Sequence, residues 1–178
     1  MEEAGRVPAA VAWGLLAAWA VHDAEELATM ARWTRTARPR LERRLPQVPW
    51  ERLELSQQHV NVAIGLMGGV VAAASAMGAR TGGRSAVFQA ALAGFGVHGA
   101  THLAQAALAR GYTPGLVTAP VVVIPYSLWA WRRLRRAGVP AQRPGPAVAA
   151  FPLVLAGVHA LAHALTTRRR TPGPPPPA

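Results

Sequence analysis

The stretch His22-Asp23-Ala24-Glu25-Glu26 follows residues 7–21, an apolar run without a single charged side chain. Read as one helix continuing to about residue 30, it puts His22, Glu25 and Glu26 at i, i+3 and i+4, on one face and within reach of a common ion. Asp23 is turned about 100° away. Charged side chains inside a membrane-length helix cost about 2.5 to 3.5 kcal/mol each, so they are kept where something pairs with them. What does the pairing is the question the rest of the chain answers.

The chain has 178 residues, 51% of them apolar. Charge is gathered in short arginine-rich blocks, and the segments between run about 20 residues nearly without charge, the length that crosses a hydrocarbon core. The expectation is an all-α integral membrane protein, a bundle of about five transmembrane helices forming one domain over residues 1–170. The helices are expected at about 7–30, 53–77, 85–109, 116–131 and 147–167, followed by a Pro-rich disordered tail at 171–178. With Glu2 and Glu3 beside a single Arg6, the first helix reads as retained rather than as a signal peptide.

The net charge of +11 comes from arginine alone. These arginines sit at helix ends and in loops, which fits anionic headgroups and the positive-inside rule and argues against nucleic-acid binding. The absence of cysteine excludes disulfides and thiolate metal sites. A connector at 32–52 carries seven arginines, three prolines, and Trp33 and Trp50 as expected interfacial anchors. Helix three is rich in Gly and Ala, which admits close backbone approach. Pro120 and Pro125 are expected to bend helix four, and Pro114-Gly115 is a tight turn expected to set how that helix docks.

Alternation of five spans places His22, Glu25, Glu26, His59, His98, His102, His159 and His163 at a similar depth near one face. His98/His102 and His159/His163 have the i, i+4 spacing that lets two imidazoles of a helix reach one ion. Together the eight form the expected metal site. Gln58 and Asn61 are candidates to hydrogen-bond the ligands, Tyr112 and Thr118 lie beside them, and the methionines, Met67 and Met77 among them, are taken as packing.

Eight donors exceed what one tetrahedral zinc uses, so of one or two divalent ions the pair, a dinuclear centre, is favoured. Mixed imidazole and carboxylate ligation suits iron, zinc or manganese, with iron favoured. With iron, the expected function is oxidation of a lipophilic substrate by a membrane-embedded oxidoreductase, served by a redox partner that the sequence does not identify. With zinc it is a membrane hydrolase, one of Glu25 and Glu26 acting as general base. A non-catalytic structural or transport role is the third reading. Glu25, Glu26 and Tyr112 are the candidate catalytic residues, although Tyr112 also suits an interfacial anchor.

His22-x-x-Glu25-Glu26, His98-x-x-x-His102 followed by Arg110-x-Tyr112-x-Pro114-Gly115-x-x-Thr118, and a late helix with further histidine together resemble the bacterial membrane family named for its His-x-x-Glu-Glu (HXXEE) motif. The likeness covers roughly residues 10–165. It implies a small multi-helix membrane protein with Glu25 and Glu26 as functional positions, and it supplies no reaction. The resemblance implies the bacterial cytoplasmic membrane, and eleven arginines on the site's side against eight on the other put the metal site nearer the cytoplasmic side.

Overall fold

The computed structural model describes residues 9–44, 46–49, 55–142 and 145–167. Among them every regular element is helical: α1 Ala9–Arg44, α2 Gln57–Arg80, α3 Ala86–Ala109, a π-helical turn Ala119–Val123 running straight into α4 Ile124–Arg136, and α5 Gly145–Thr167. Trp50, the tail at 171–178 and the arginines at 6, 52, 143 and 168–170 lie outside the described residues.

The all-helical architecture stands, but the expectation of five membrane spans is overturned. Among the described residues one helix, α2, is both long and apolar enough to cross a membrane. In α1 the ionisable cluster lies mid-helix and the second half is arginine-rich. In α3, Gln89, His98, Thr101, His102 and Gln105 interrupt a helix of which Gly and Ala make up half. The π-helical turn and α4 run on as one segment, Ala119–Arg136, but its last turn carries Arg133, Arg135 and Arg136. In α5 the apolar stretch is the short Pro152–Thr167. The inferred alternation of crossings, and with it the common depth and cytoplasmic side assigned to the histidines, goes with the five spans.

The expected connector at 32–52 is also corrected, since α1 runs through 36 residues and past Pro39. Proline inside a helix normally costs about 3 kcal/mol through a lost hydrogen bond and a clash. Here tertiary contacts offset it: Ala37 and Leu41 are buried against Ala109, with Trp33 packed beside them. The Arg38–Glu42 pair, at i, i+4, adds support on the same helix. Trp33, expected as an interfacial anchor, donates its indole N–H to the Tyr112 carbonyl at 2.7 Å and ties α1 to the turn after α3.

Serine N-caps start the two helices that follow. Ser56 accepts from the His59 N–H and Ser85 from the Phe88 N–H, each satisfying an orphan donor of its first turn. The bend expected from Pro120 and Pro125 takes the form of the π-helical turn. Pro125 has no N–H to return to the Val121 carbonyl, and the preceding Ile124 N–H instead bonds one residue further back, to Ala119.

The core gathers Val11, Ala12, Leu15 and Ala18 of α1, Phe88, Leu92 and Phe95 of α3, and Val123, Ala130 and Leu134 around α4. Gly99 lets α3 lie directly on the π-helical turn, since a Cβ there would stand 2.8 Å from Val123 Cγ1. A smaller cluster, Ala63 with Val158 and Ala162, docks α5 on α2, with Met67 packed against it, whereas Met77 is exposed. This packing holds the middle of α1 against the second half of α3, and the turn 110–118 folds back over both.

Candidate metal centre

His22 and Glu26 stand one turn apart on α1, and His98 and His102 one turn apart on α3. The packing of the two helices brings these four side chains together, one ligand atom from each lying within 4.8 Å of all the others. The Nε2 atoms of the three imidazoles form a near-equilateral triangle: 3.1 Å from His22 to His98, 3.2 Å from His22 to His102 and 2.9 Å from His98 to His102. Glu26 Oε1 lies 3.4 Å from His102 Nε2. His22, Glu26 and His102 are buried and His98 is half-buried.

Hydrogen bonding cannot satisfy this triangle. A ring nitrogen of a neutral imidazole either carries one proton or offers one lone pair. Thr118 Oγ1 donates to Glu25 Oε2 at 2.7 Å and so accepts from His22 Nδ1, also at 2.7 Å. That network assigns the His22 proton to Nδ1 and leaves its Nε2 as a bare lone pair facing the other two rings. However protons are placed on His98 and His102, at least one edge of the triangle sets lone pair against lone pair or proton against proton. Burial keeps the rings neutral: it lowers His98 to about 3, helped by the charge of His102 and His22, and His22 to about 4, helped by His102. His102 is lowered as well, again first by burial. Three neutral nitrogens at this spacing suit a cation, since tetrahedral ligands about 2.05 Å from zinc stand about 3.3 Å apart.

The carboxylates divide between two jobs. Glu26 faces the imidazoles, and burial, with the charge of Glu25 added, raises it to about 7. Glu25 points instead into the turn after α3. Its Oε1 accepts from the Tyr112 hydroxyl at 2.7 Å and the Val117 N–H at 3.3 Å, and its Oε2 from the Thr118 N–H at 2.8 Å and the Thr118 hydroxyl. Partial burial works against its charge, yet these bonds from Thr118, Tyr112 and Val117 hold its pKa below the usual value. Asp23 is buried too, and burial followed by the nearby Glu26 raises it to about 8.

Gly115 closes the centre from above. Its φ of +81° is left-handed, and a Cβ there would stand 2.6 Å from His102 Cε1 and 2.8 Å from His22 Cε1. The Pro114-Gly115 turn, expected only to set how helix four docks, thus forms a wall of the cluster. Sequence reading placed Thr118 nearby without a role, and the signal that could have found it was its place in the Tyr-x-Pro-Gly-x-x-Thr string.

The other expected donors lie elsewhere. His59 Nε2 and His159 Nδ1 meet each other at 3.0 Å between α2 and α5, and His163 is exposed. Asn61 accepts from Gln57, which also donates to the Leu27 carbonyl, and Gln58 is exposed. Among the described residues, then, the convergent donor set is His22, Glu26, His98 and His102.

Fold and site together define an all-helical protein with a buried His/Glu cluster able to hold a divalent metal ion. The chain belongs to the family described as "Protein of unknown function with HXXEE motif", whose model matches residues 13–130. That span holds the whole cluster and the turn that closes it, whereas His159 and His163 lie beyond it. No curated protein and no solved structure matches the chain.

Proposed function

We propose that the protein is a membrane-associated, metal-dependent enzyme acting on a lipophilic substrate, with one divalent ion held by His22, His98, His102 and Glu26. The observation that carries this reading is the triangle of Nε2 atoms, 2.9 to 3.2 Å on a side, which no placement of protons satisfies. One ion suits the four convergent donors better than the dinuclear centre expected from eight, because Glu25 is engaged by the turn and His59 by His159. Mixed imidazole and carboxylate ligation favours iron, and iron would supply oxidation of the substrate by O₂.

Each residue has a part in this reading. Thr118 fixes the His22 ring by accepting from its Nδ1, the usual way a ligating histidine is oriented. Glu25 holds Thr118 and Tyr112 and so keeps the turn closed. Membrane association is supported by α2, in whose most apolar window only 22% of the residues are buried. A buried core helix would be mostly covered. Val70 and Met77 of α2 and Val97 and Leu108 of α3 are large exposed apolar groups in keeping with a lipid neighbour.

A second reading, a zinc hydrolase, draws on one observation. Glu26 Oε1 stands 3.4 Å from His102 Nε2, beside the imidazoles that would hold zinc, where a carboxylate can take a proton from water as general base. Metal analysis of the chain purified without chelator tests both readings. About one iron per chain with O₂-dependent turnover supports the oxidase, and about one zinc with O₂-independent turnover the hydrolase. A chain with no metal, which takes up neither ion on addition, sinks both.

A further inference from the structure

Beyond the metal donors, the second half of α1 and the turn after α3 border an open cleft of about 280 Å³ lined by Trp33, Thr36, Ala37, Arg40 and Tyr112. The α1 residues recur every three or four positions and so line one side of that helix. Most of the polar lining is already engaged. The Trp33 indole donates to the Tyr112 carbonyl, and the Thr36 hydroxyl donates to carbonyls of its own helix. Arg40 differs: its Nε is buried and has no hydrogen-bond partner. Gly111 leaves the space the guanidinium occupies, since a Cβ there would stand 3.3 Å from Arg40 Nη1. Arg40 as a whole is only half-buried and lines the cleft, and its planar fork matches phosphate or carboxylate oxygens.

The cleft shares a residue with the site's outer network. Tyr112 forms one of its walls and donates to Glu25 Oε1 at 2.7 Å, on the same turn whose Gly115 covers His22 and His102. The geometry points to a subsite for an anionic amphiphile, with a phosphate or carboxylate head on Arg40 and an apolar body lying along Trp33 and Ala37 toward Tyr112. Treating that amphiphile as the substrate rests on the metal-enzyme reading, whereas its binding does not. From Glu26 to Arg40 the helix rises about 21 Å, so a ligand touching both ends is elongated.

The test uses the full chain in a neutral detergent, with dodecyl phosphate as probe and binding followed by calorimetry. Wild type binds it, R40Q binds at least tenfold more weakly, R40K falls between, and R43Q, altered at the exposed neighbour Arg43, matches wild type. Inorganic phosphate and dodecanol each bind more weakly than the probe that joins them. A second arm uses phosphatidylcholine vesicles with and without phosphatidic acid. Extra partitioning onto the anionic vesicles that R40Q loses identifies a lipid headgroup as the source, and probe binding without that gain identifies a free amphiphile. No binding by wild type, or equal binding by wild type and R40Q in both arms, overturns the subsite. Metal content is read on the same samples: R40Q retains wild-type metal, so a lost ligand is not a lost metal centre. A metal-free chain that still binds the probe through Arg40 sinks the enzyme reading and leaves the subsite standing.

Discussion

Two regions of this molecule bring imidazoles to hydrogen-bonding distance, and they are chemically opposite. Between α1 and α3, three Nε2 atoms crowd one point with no proton arrangement that serves all three. Between α2 and α5, His59 Nε2 meets His159 Nδ1 at 3.0 Å with the ring planes 13° apart, an arrangement that one N–H and one lone pair complete. Proximity of histidines is therefore not the mark of a metal site. The count of donors against acceptors is, and it singles out the first region.

The sharpest way to break this contrast is to remove a ring from each region. His98→Ala or His102→Ala should abolish stoichiometric metal in the purified protein, a larger loss than the roughly 10–100-fold that outer partners cost. His59→Ala should leave metal content at the wild-type value. Equal losses from both regions, read by elemental analysis, would return the molecule to one shared centre. Next in size is Thr118→Val, which removes the acceptor for His22 Nδ1 and frees the other tautomer. Metal affinity should fall about 10–100-fold, and Thr118→Ser should restore most of it. If Val and Ser variants bind metal alike, the Glu25–Thr118–His22 relay has no part in ordering the ring.

A smaller effect is expected from Gly115→Ala. The methyl would fall within 3 Å of His102 and His22, at a φ of +81° that already disfavours a side chain. The turn must lift or the rings must move. The metal-free protein should lose about 1–3 kcal/mol from strain of this kind, and metal should restore less stability than it gives the wild type. A variant with unchanged unfolding midpoints, with and without metal, would show that the turn does not press on the centre.

How much of this was legible in the sequence follows from what helical periodicity can and cannot carry. The spacings His22-x-x-x-Glu26 and His98-x-x-x-His102 each put two donors on one face, and both pairs do converge. Periodicity cannot choose between Glu25 and Glu26, which are about 100° apart on α1. That choice depends on the turn at 112–118, whose hydroxyls and N–H groups claim Glu25. Nor does periodicity set the register between helices, so placing His59, His159 and His163 with the others required a count of membrane crossings. The helices of the structure do not support that count. The length of α1 was hidden for a similar reason, because Pro39 reads locally as a stop and only the contact of Ala37 and Leu41 with Ala109 carries the helix past it.

The smallest effect should come from the second region. His159→Phe replaces one partner of a bond between half-buried rings. A hydrogen bond of this type contributes about 0.5–1.5 kcal/mol, and part of that should return through the apolar contact of Phe with the Val158 and Ala162 side of α5, already packed on Ala63. Denaturant unfolding should therefore show a loss near or below about 1 kcal/mol. Added zinc should stabilise the variant as much as it stabilises wild type, because the donors that need a cation lie between the other pair of helices. A variant that loses part of its response to zinc would mean that His59 and His159 exchange their shared proton for an ion. The hydrogen bond between them would then be the metal-free form of a second site.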